Sequence, residues 1–229
     1  MLSSAIFGSV TATRQDSLVA GLLTLERLES YLSATGGDLS AALRLYEWNS
    51  AATGSLLSTT GLVEVIVRNA LDTQLLSWAL RRGELDWFDI VPLDGKGRRD
   101  IAMARTRAKG NGVGQERHGK VIAELSFGFW RYLVAQRYLT TLWIPALAAA
   151  FPYGAPDRTM RRQDVENKMV GLHIIRNRAA HNEPIHRRDL CNDWLSAIEL
   201  VGWVHPDGAA WVASNSTLGL IAKNRPVTQ

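Results

Sequence analysis

The stretch RQDVENKMVGLHIIRNRAAHNEPI, residues 162–185, shows most directly which kind of fold this chain adopts. Its large apolar residues recur every three or four positions, at Val165, Met169, Leu172 and Ile175. That spacing is the period of one face of an α-helix. Polar and charged residues occupy most of the other positions, and Pro184 is expected to stop the helix. The stretch therefore predicts an amphipathic helix that buries one face in a core.

The same helical period dominates the rest of the chain, and strand-like alternation is nearly absent. We expect one helix from Asp16 to the TGG turn at 35–37, a second from Asp38, and a third between Gly61 and Gly83. Further helices are expected over 98–109, over 118–151 with breaks near Gly128 and Pro145, over 162–183, over 189–204, and after Asp207. The pattern predicts one all-α domain over residues 1–229, a helical bundle in which residues 1–15 form a loose N-terminal segment.

The composition favours a soluble protein of a reducing compartment. The chain has 229 residues, 46% of them hydrophobic, and one cysteine, so no intrachain disulfide can form. The N-terminus lacks the charged region of a signal peptide, and apolar stretches such as LWIPALAAAF are shorter than a membrane span and contain proline. We expect a cytoplasmic protein with no membrane segment.

The positive charge is concentrated in one segment. The formal net charge is +4, yet residues 96–120 alone hold eight basic residues against two acidic ones. Such a segment is usually a solvated surface, but it can also attract a nucleic-acid backbone. If the protein binds RNA, Arg98, Arg99, Arg105 and Arg107 are its predicted RNA-binding residues.

A dense polar cluster ends the helix of residues 162–183. Asn177 and His181 lie four positions apart and share a face, whereas Arg176 lies roughly 140° further round. One explanation is that Arg176, Arg178 and His181 complement the negative end of the helix dipole. The other is that arginine and imidazole meet in one catalytic pocket. Elsewhere we find no phosphate-binding P-loop, no cysteine–histidine cluster for zinc and no nucleophile elbow, so neither a metal nor a cofactor is predicted.

Four blocks of the sequence resemble a known family. IRNRAAHNEP has the Arg-polar-x-x-x-His form of the HEPN superfamily of helical ribonucleases. AALRLYEWNSAAT, LVEVIVRNAL, AELSFGFWRYL and IRNRAAHNEPI resemble, in that order, the blocks of the Abi-like family of bacterial abortive-infection proteins, over roughly residues 26–203. The resemblance implies an all-helical HEPN-like bundle with additional helices that pairs into a homodimer. It also implies a composite ribonuclease site carried by Arg176, Asn177 and His181.

These residue types suit metal-independent RNA cleavage, in which the ribose 2′-OH attacks the adjacent phosphorus. Histidine titrates near neutrality and can move the protons, and arginine neutralises charge on the phosphorane. The polar cluster holds one histidine per chain, which can supply either the acid or the base. A dimer would supply both, which makes it chemically attractive. We therefore expect an endoribonuclease that acts as a toxin or a phage-defence effector, with RNA and a cognate antitoxin as partners. The alternatives are a non-catalytic RNA-binding or regulatory protein and, with least support, a helical scaffold.

Four further residues are candidates for supporting roles. Glu64 and Arg68, at positions i and i+4 of an apolar helix, are expected to form an ion pair that holds the bundle or supports the site. Glu124 lies in a stretch, ELSFGFW, that is expected to pack through Gly128, and its carboxylate is a candidate polar support. Arg178 is expected to contact either RNA or only water.

Overall fold

All regular structure in the described part of the chain is helical. The computed structural model describes residues 13–110 and 114–226. Ten α-helices follow one another: α1 Arg14–Leu23, α2 Leu25–Ala34, α3 Leu39–Leu80, α4 Gly95–Ala108, α5 His118–Glu124, α6 Phe127–Leu133, α7 Arg158–Ala180, α8 Leu190–Val204, α9 Pro206–Asn215 and α10 Leu218–Lys223. Short 3-10 and π turns occupy Gln136–Tyr138, Leu139–Trp143 and Leu147–Ala150. The prediction of an all-α protein is confirmed.

The described residues group into two compact units, each made of segments that are separate in the sequence. The first unit holds residues 13–58, 175–194 and 216–226, and the second holds 59–174 and 195–215, without the undescribed residues 111–113. The single domain expected over 1–229 stays a prediction. The loose segment expected for residues 1–15 lies mostly outside the described residues, although Arg14 and Gln15 already belong to α1.

The first unit has a core of its own that gathers segments far apart in the chain. Leu28 and Tyr31 of α2 and Leu45 and Leu56 of α3 are fully buried in it. The end of α7 and the residues after it join the same core through Ile175, Ala179, Ile185, Leu190 and Leu218. Burial of such side chains contributes about 1.5–3 kcal/mol each for the larger ones. The core therefore fixes the segment that carries the polar cluster.

The second unit has a core rich in aromatic side chains. Trp87, Trp130 and Trp143 are fully buried, together with Phe129 and Phe151. Trp87 comes from the connector between α3 and α4, for which the sequence predicted no definite structure. Its ring lies edge-on to Trp130, with 5.9 Å between the ring centroids. The connector is thus fixed by aromatic packing and contains no helix before Gly95.

Several predicted helix boundaries are wrong. The α-helical run expected through residue 151 ends at Leu133, and short 3-10 and π turns follow it. Two other boundaries are wrong for opposite reasons. The single helix expected from Asp16 is interrupted at Thr24, whose hydroxyl caps α2 by accepting a hydrogen bond from the Arg27 amide. In contrast, α3 continues for 42 residues through Gly61, where two helices were expected. A Cβ at Gly61 would meet nothing within 4 Å. An internal glycine costs a helix only about 1 kcal/mol, which the packing of α3 outweighs.

The break expected near Gly128 lies instead at Leu125 and Ser126, and Ser126 caps α6. Gly128 serves the close approach that the sequence predicted. A Cβ at this position would lie 3.1 Å from Cε1 of His173, which is tighter than an ordinary contact. The predicted buried face of α7 is confirmed as well, since Val165, Met169, Leu172 and Ile175 are all at most 2% exposed.

Helix α3 also bears on the question of a membrane. By length and composition alone it is apolar enough to span one, although 44% of the relevant 18-residue window is buried within the protein. The expectation of no membrane segment considered short uninterrupted apolar runs, whereas α3 reaches the length of a span as a longer helix that includes charged residues. Core helices of soluble proteins meet the same criterion. The absence of a membrane segment stays a prediction.

Candidate functional site

The backbone at the end of α7 completes its own hydrogen bonding. The Asn182 amide donates to the carbonyl of Ala179 (3.0 Å), and the Glu183 amide donates to that of Arg178 (2.8 Å). Asn182 has a φ of 54°, a left-handed conformation that asparagine adopts more readily than most residues. This pair of bonds is a Schellman turn. Because the turn satisfies carbonyls of the last helical turn, they do not all require basic side chains as partners.

Arg178 is the basic residue that stabilises this helix end. Its guanidinium donates to the carbonyl of Pro184 (2.8 Å) and lies 3.2 Å from the Glu183 carboxylate. The explanation by helix-end complementarity therefore fits Arg178. An RNA contact by Arg178 stays a prediction.

The contacts of Arg178 differ from those of Arg176, Asn177 and His181. Arg176 and Asn177 are half-buried, and Nη1 of Arg176 donates to Oδ1 of Asn177 over 3.4 Å, at the long limit of a hydrogen bond. His181 is exposed, and only its backbone amide bonds back to the helix, at Asn177. Within residues 13–110 and 114–226, the His181 imidazole has no recorded hydrogen bond. The structure thus joins the arginine to the asparagine and leaves the imidazole accessible to a ligand.

The residues after His181 are tied down by side chains from far away in the sequence. Arg27 of α2 donates a short hydrogen bond to the Asn182 carbonyl. Asn49 of α3, itself buried, accepts a hydrogen bond from the Ile185 amide (2.8 Å). Asn182, Arg27 and Asn49 also border a cavity of about 240 Å³. These contacts hold the chain in a fixed position next to His181.

His186 is a buried histidine that the sequence-based reasoning missed. Its side chain is fully buried, with Nε2 2.7 Å from the Ser30 hydroxyl and its ring 4.7 Å from that of Tyr31. Burial lowers the pKa of His186 to about 4, and the charges of Arg187 and Arg225 act in the same direction. His186 is therefore neutral at pH 7. The sequence indicated the burial of His186 only through its position next to the apolar Ile185, just after Pro184.

The other predicted supporting residues lie in the second unit. Glu64 and Arg68 are half-buried on α3, and their ion pair and supporting role stay predictions. Glu124, at the end of α5, lies 2.9 Å from Nε of Arg107. Arg107 also donates to the Glu124 backbone carbonyl, over 2.9 Å. The structure thus gives Glu124 a partner in its own unit.

Much of the charge in the basic segment is neutralised internally. Arg105 lies 2.8 Å from both Asp89 and Glu116, and Lys109 lies 2.8 Å from the other oxygen of Glu116. Lys109, and next Arg105, hold the pKa of Glu116 below its ordinary value. Arg98 and Arg99 are exposed. Of the four predicted RNA-binding arginines, these two are therefore better placed to meet an anion than the internally paired Arg105 and Arg107.

A second buried polar group was also missed. The Asp72 carboxylate, on α3, accepts a hydrogen bond from the Trp87 indole (2.7 Å) and lies 2.8 Å from Nε2 of His118. The hydrogen bond to Asp72 raises the pKa of His118 above its ordinary value. Phe88 stacks on the His118 ring at 4.8 Å. The sequence offered only a lone aspartate in the apolar run of α3, because His118 comes 46 residues later.

Comparisons with known proteins add no assignment: no family model, no curated protein and no solved structure matches this chain. In the part of the chain that the structure describes, no group of three or more histidine, cysteine, aspartate or glutamate side chains is arranged to hold a metal ion. Any functional conclusion must therefore rest on the residues at the end of α7 and on their surroundings.

Proposed function

We propose that this protein is an endoribonuclease of the HEPN type that cleaves RNA without a metal ion. The observation that carries the proposal is the difference in side-chain contacts and exposure among the basic residues at the end of α7. Arg178 bonds to the chain just beyond the helix end, whereas the His181 imidazole stays exposed and the Arg176 guanidinium donates to the Asn177 side chain. Contacts at the helix end therefore engage Arg178, and they leave the side chains of Arg176 and His181 available for another role.

The chemistry follows from what these groups can donate and accept. The 2′-oxygen forms a bond to the adjacent phosphorus, and the bond from phosphorus to the 5′-oxygen breaks. An imidazole takes the proton of the 2′-OH, and a protonated imidazole gives one to the leaving 5′-oxygen. Arg176 neutralises charge on the phosphorane oxygens, and Asn177 holds the guanidinium or a phosphate oxygen. The products are a 2′,3′-cyclic phosphate and a 5′-OH end.

Two imidazoles are needed, and each chain offers one in this cluster. We therefore include a homodimer in the proposal, in which the two helix ends carrying His181 face each other. The resemblance to the Abi-like family supports the HEPN-like bundle with additional helices and the role of a cytoplasmic toxin or abortive-infection effector. A cognate antitoxin belongs to the same proposal.

The experiment that tests the chemistry is an analysis of the cleavage products. We expect purified protein to cut single-stranded RNA in EDTA and to leave a 2′,3′-cyclic phosphate. A matched RNA with one 2′-deoxyribose at the scission point should resist cutting there, since the nucleophile is missing. Cleavage that EDTA abolishes, or equal cleavage of the deoxy-substituted RNA, would refute the mechanism.

A second candidate function is RNA binding without cleavage. One observation favours it: no described side chain orients the His181 imidazole, whereas a general base is commonly held by a third group. A non-catalytic protein would bind the same RNA with unchanged affinity after His181→Ala and would leave it intact. Product analysis on the wild-type protein separates the two candidates.

A further inference from the structure

A cavity of about 350 Å³ in the first unit combines arginine side chains with an indole. It is lined by Trp48 from α3, by residues 187–191 at the start of α8, and by Ala222 and Arg225 at the end of the described chain. Trp48 is 9% exposed and fixed by a hydrogen bond from its indole to the Ile221 carbonyl (2.8 Å). The guanidinium of Arg225 lies 5.9 Å from the centre of the Trp48 ring, within range of a cation–π contact.

Two of the three arginines in this wall lack a carboxylate partner. Arg188 is bound by both oxygens of Asp193, at 3.0 and 2.7 Å. The acidic residue of the wall, Asp189, caps α8 by accepting a hydrogen bond from the Asn192 amide (3.0 Å). In the described ranges, neither Arg187 nor Arg225 forms an ion pair, and both are exposed. Outside the Arg188–Asp193 pair, the wall therefore holds two arginines against the single carboxylate of Asp189, which leaves it with a net positive charge.

The same two arginines lie close to the buried His186. After its burial, Arg187 and Arg225 are the two causes that lower the pKa of His186. Both guanidinium groups therefore lie near enough to His186 to raise the electrostatic potential at its ring. A bound anion would relieve this potential.

Arg187 also borders a second cavity, of about 370 Å³, whose wall includes Arg27 and Pro184 but also the acidic residues Glu26 and Glu29. Pro184 lies three residues after His181, and Arg187 lies six residues after it. Six residues span at most about 20 Å, so one RNA strand can reach both positions. The two carboxylates make the second cavity less suited to a phosphate, so the first cavity is the anion site that these arginines define.

We propose that Arg187 and Arg225 form a phosphate-binding subsite for the backbone of the RNA strand, with the Trp48 indole as its apolar wall. The inference rests on the proposed function, because RNA is taken as the ligand. Two guanidinium groups match the geometry of phosphate oxygens. The subsite positions the strand, and the chemistry remains with Arg176 and His181.

The test measures RNA binding in a His181→Ala background, so that cleavage does not interfere. Fluorescence anisotropy of a short single-stranded RNA across a salt series should show that Arg187→Gln and Arg225→Gln each lower the slope of log K against log salt by about 0.7. Arg44→Gln is the matched control, since Arg44 is an exposed arginine of the same unit that borders neither cavity. An unchanged slope in the double variant would overturn the proposal.

A second readout uses His186 as a local probe. RNA binding should raise the pKa of His186 measured by NMR, and the double variant should remove the response to RNA. Inorganic phosphate alone serves as the other ligand. If phosphate raises that pKa and RNA does not, the subsite binds free anions and the RNA assignment fails. If wild-type protein binds RNA through these arginines but never cleaves it, the proposed function fails and the subsite stands.

Discussion

The burial of His186 makes the stability of the first unit depend on pH in a direction that can be calculated. The group has an ordinary pKa of 6.5 and a pKa of about 4 in the folded protein. Between these values the unfolded chain binds a proton that the folded protein refuses, so the free energy of unfolding falls as the pH falls from 6.5 towards 4. From pH 7 to pH 5, this single group should remove about 2 kcal/mol of stability.

The assay is urea-induced unfolding at pH 7 and at pH 5, comparing wild type with His186→Gln. Glutamine cannot take up a proton, so the variant should lose about 2 kcal/mol less than wild type over the same pH interval. The matched control is His205→Gln, because the His205 side chain is 55% exposed. The reasoning is refuted if wild type and His186→Gln respond equally to pH, or if NMR finds that His186 titrates near 6.5 in the folded protein.

Three further changes test other parts of the structure. His118 should contribute with the opposite sign, because its pKa is raised in the folded protein: it stabilises the fold below pH 6.5, and this stabilisation is lost as the pH rises through the raised pKa. In urea unfolding curves, His118→Gln should therefore weaken this part of the pH dependence of stability. Asn49→Ala should cost about 1–3 kcal/mol in the same assay, because it leaves the buried Ile185 amide without an acceptor, whereas Asn49→Asp keeps the acceptor and should lose less. Changing Arg98 and Arg99 to glutamine should weaken RNA binding and its salt dependence more than the same change at the two internally paired arginines of that segment; equal effects would contradict this ranking.

The sequence predicted well those features that depend on local periodicity. The buried face of α7 and the helical character of the described residues follow from apolar residues three or four positions apart, which one helix brings together. Boundaries were predicted less well. At Gly61 the weak helix propensity of glycine was overridden by packing along α3, and at Thr24 a side-chain cap ended a helix whose apolar pattern continues.

In the candidate site, too, local features could be predicted and distant contacts could not. Arg176, Asn177 and His181 are close in the sequence, so their proximity at one helix end could be predicted. The groups that fix their surroundings could not, since Asn49 meets Ile185 across 136 residues and Ser30 meets His186 across 156. No local spacing encodes such pairs. The internal ion pairs of the basic segment were missed for a related reason, because composition counts charges without their partners.

The most direct test of the central claim is the rate of RNA cleavage by His181→Ala. A positioned acid or base contributes about 10²–10⁴ in rate, so the variant should cleave at least 100-fold more slowly than wild type. Because His181 is exposed at a helix end, the unfolding curve of the variant should stay close to that of wild type, and light scattering should give both proteins the mass of the proposed dimer. Arg176→Ala should cause a comparable loss, while His205→Ala should cleave normally. A folded, dimeric His181→Ala protein that cleaves RNA at the wild-type rate would contradict the account.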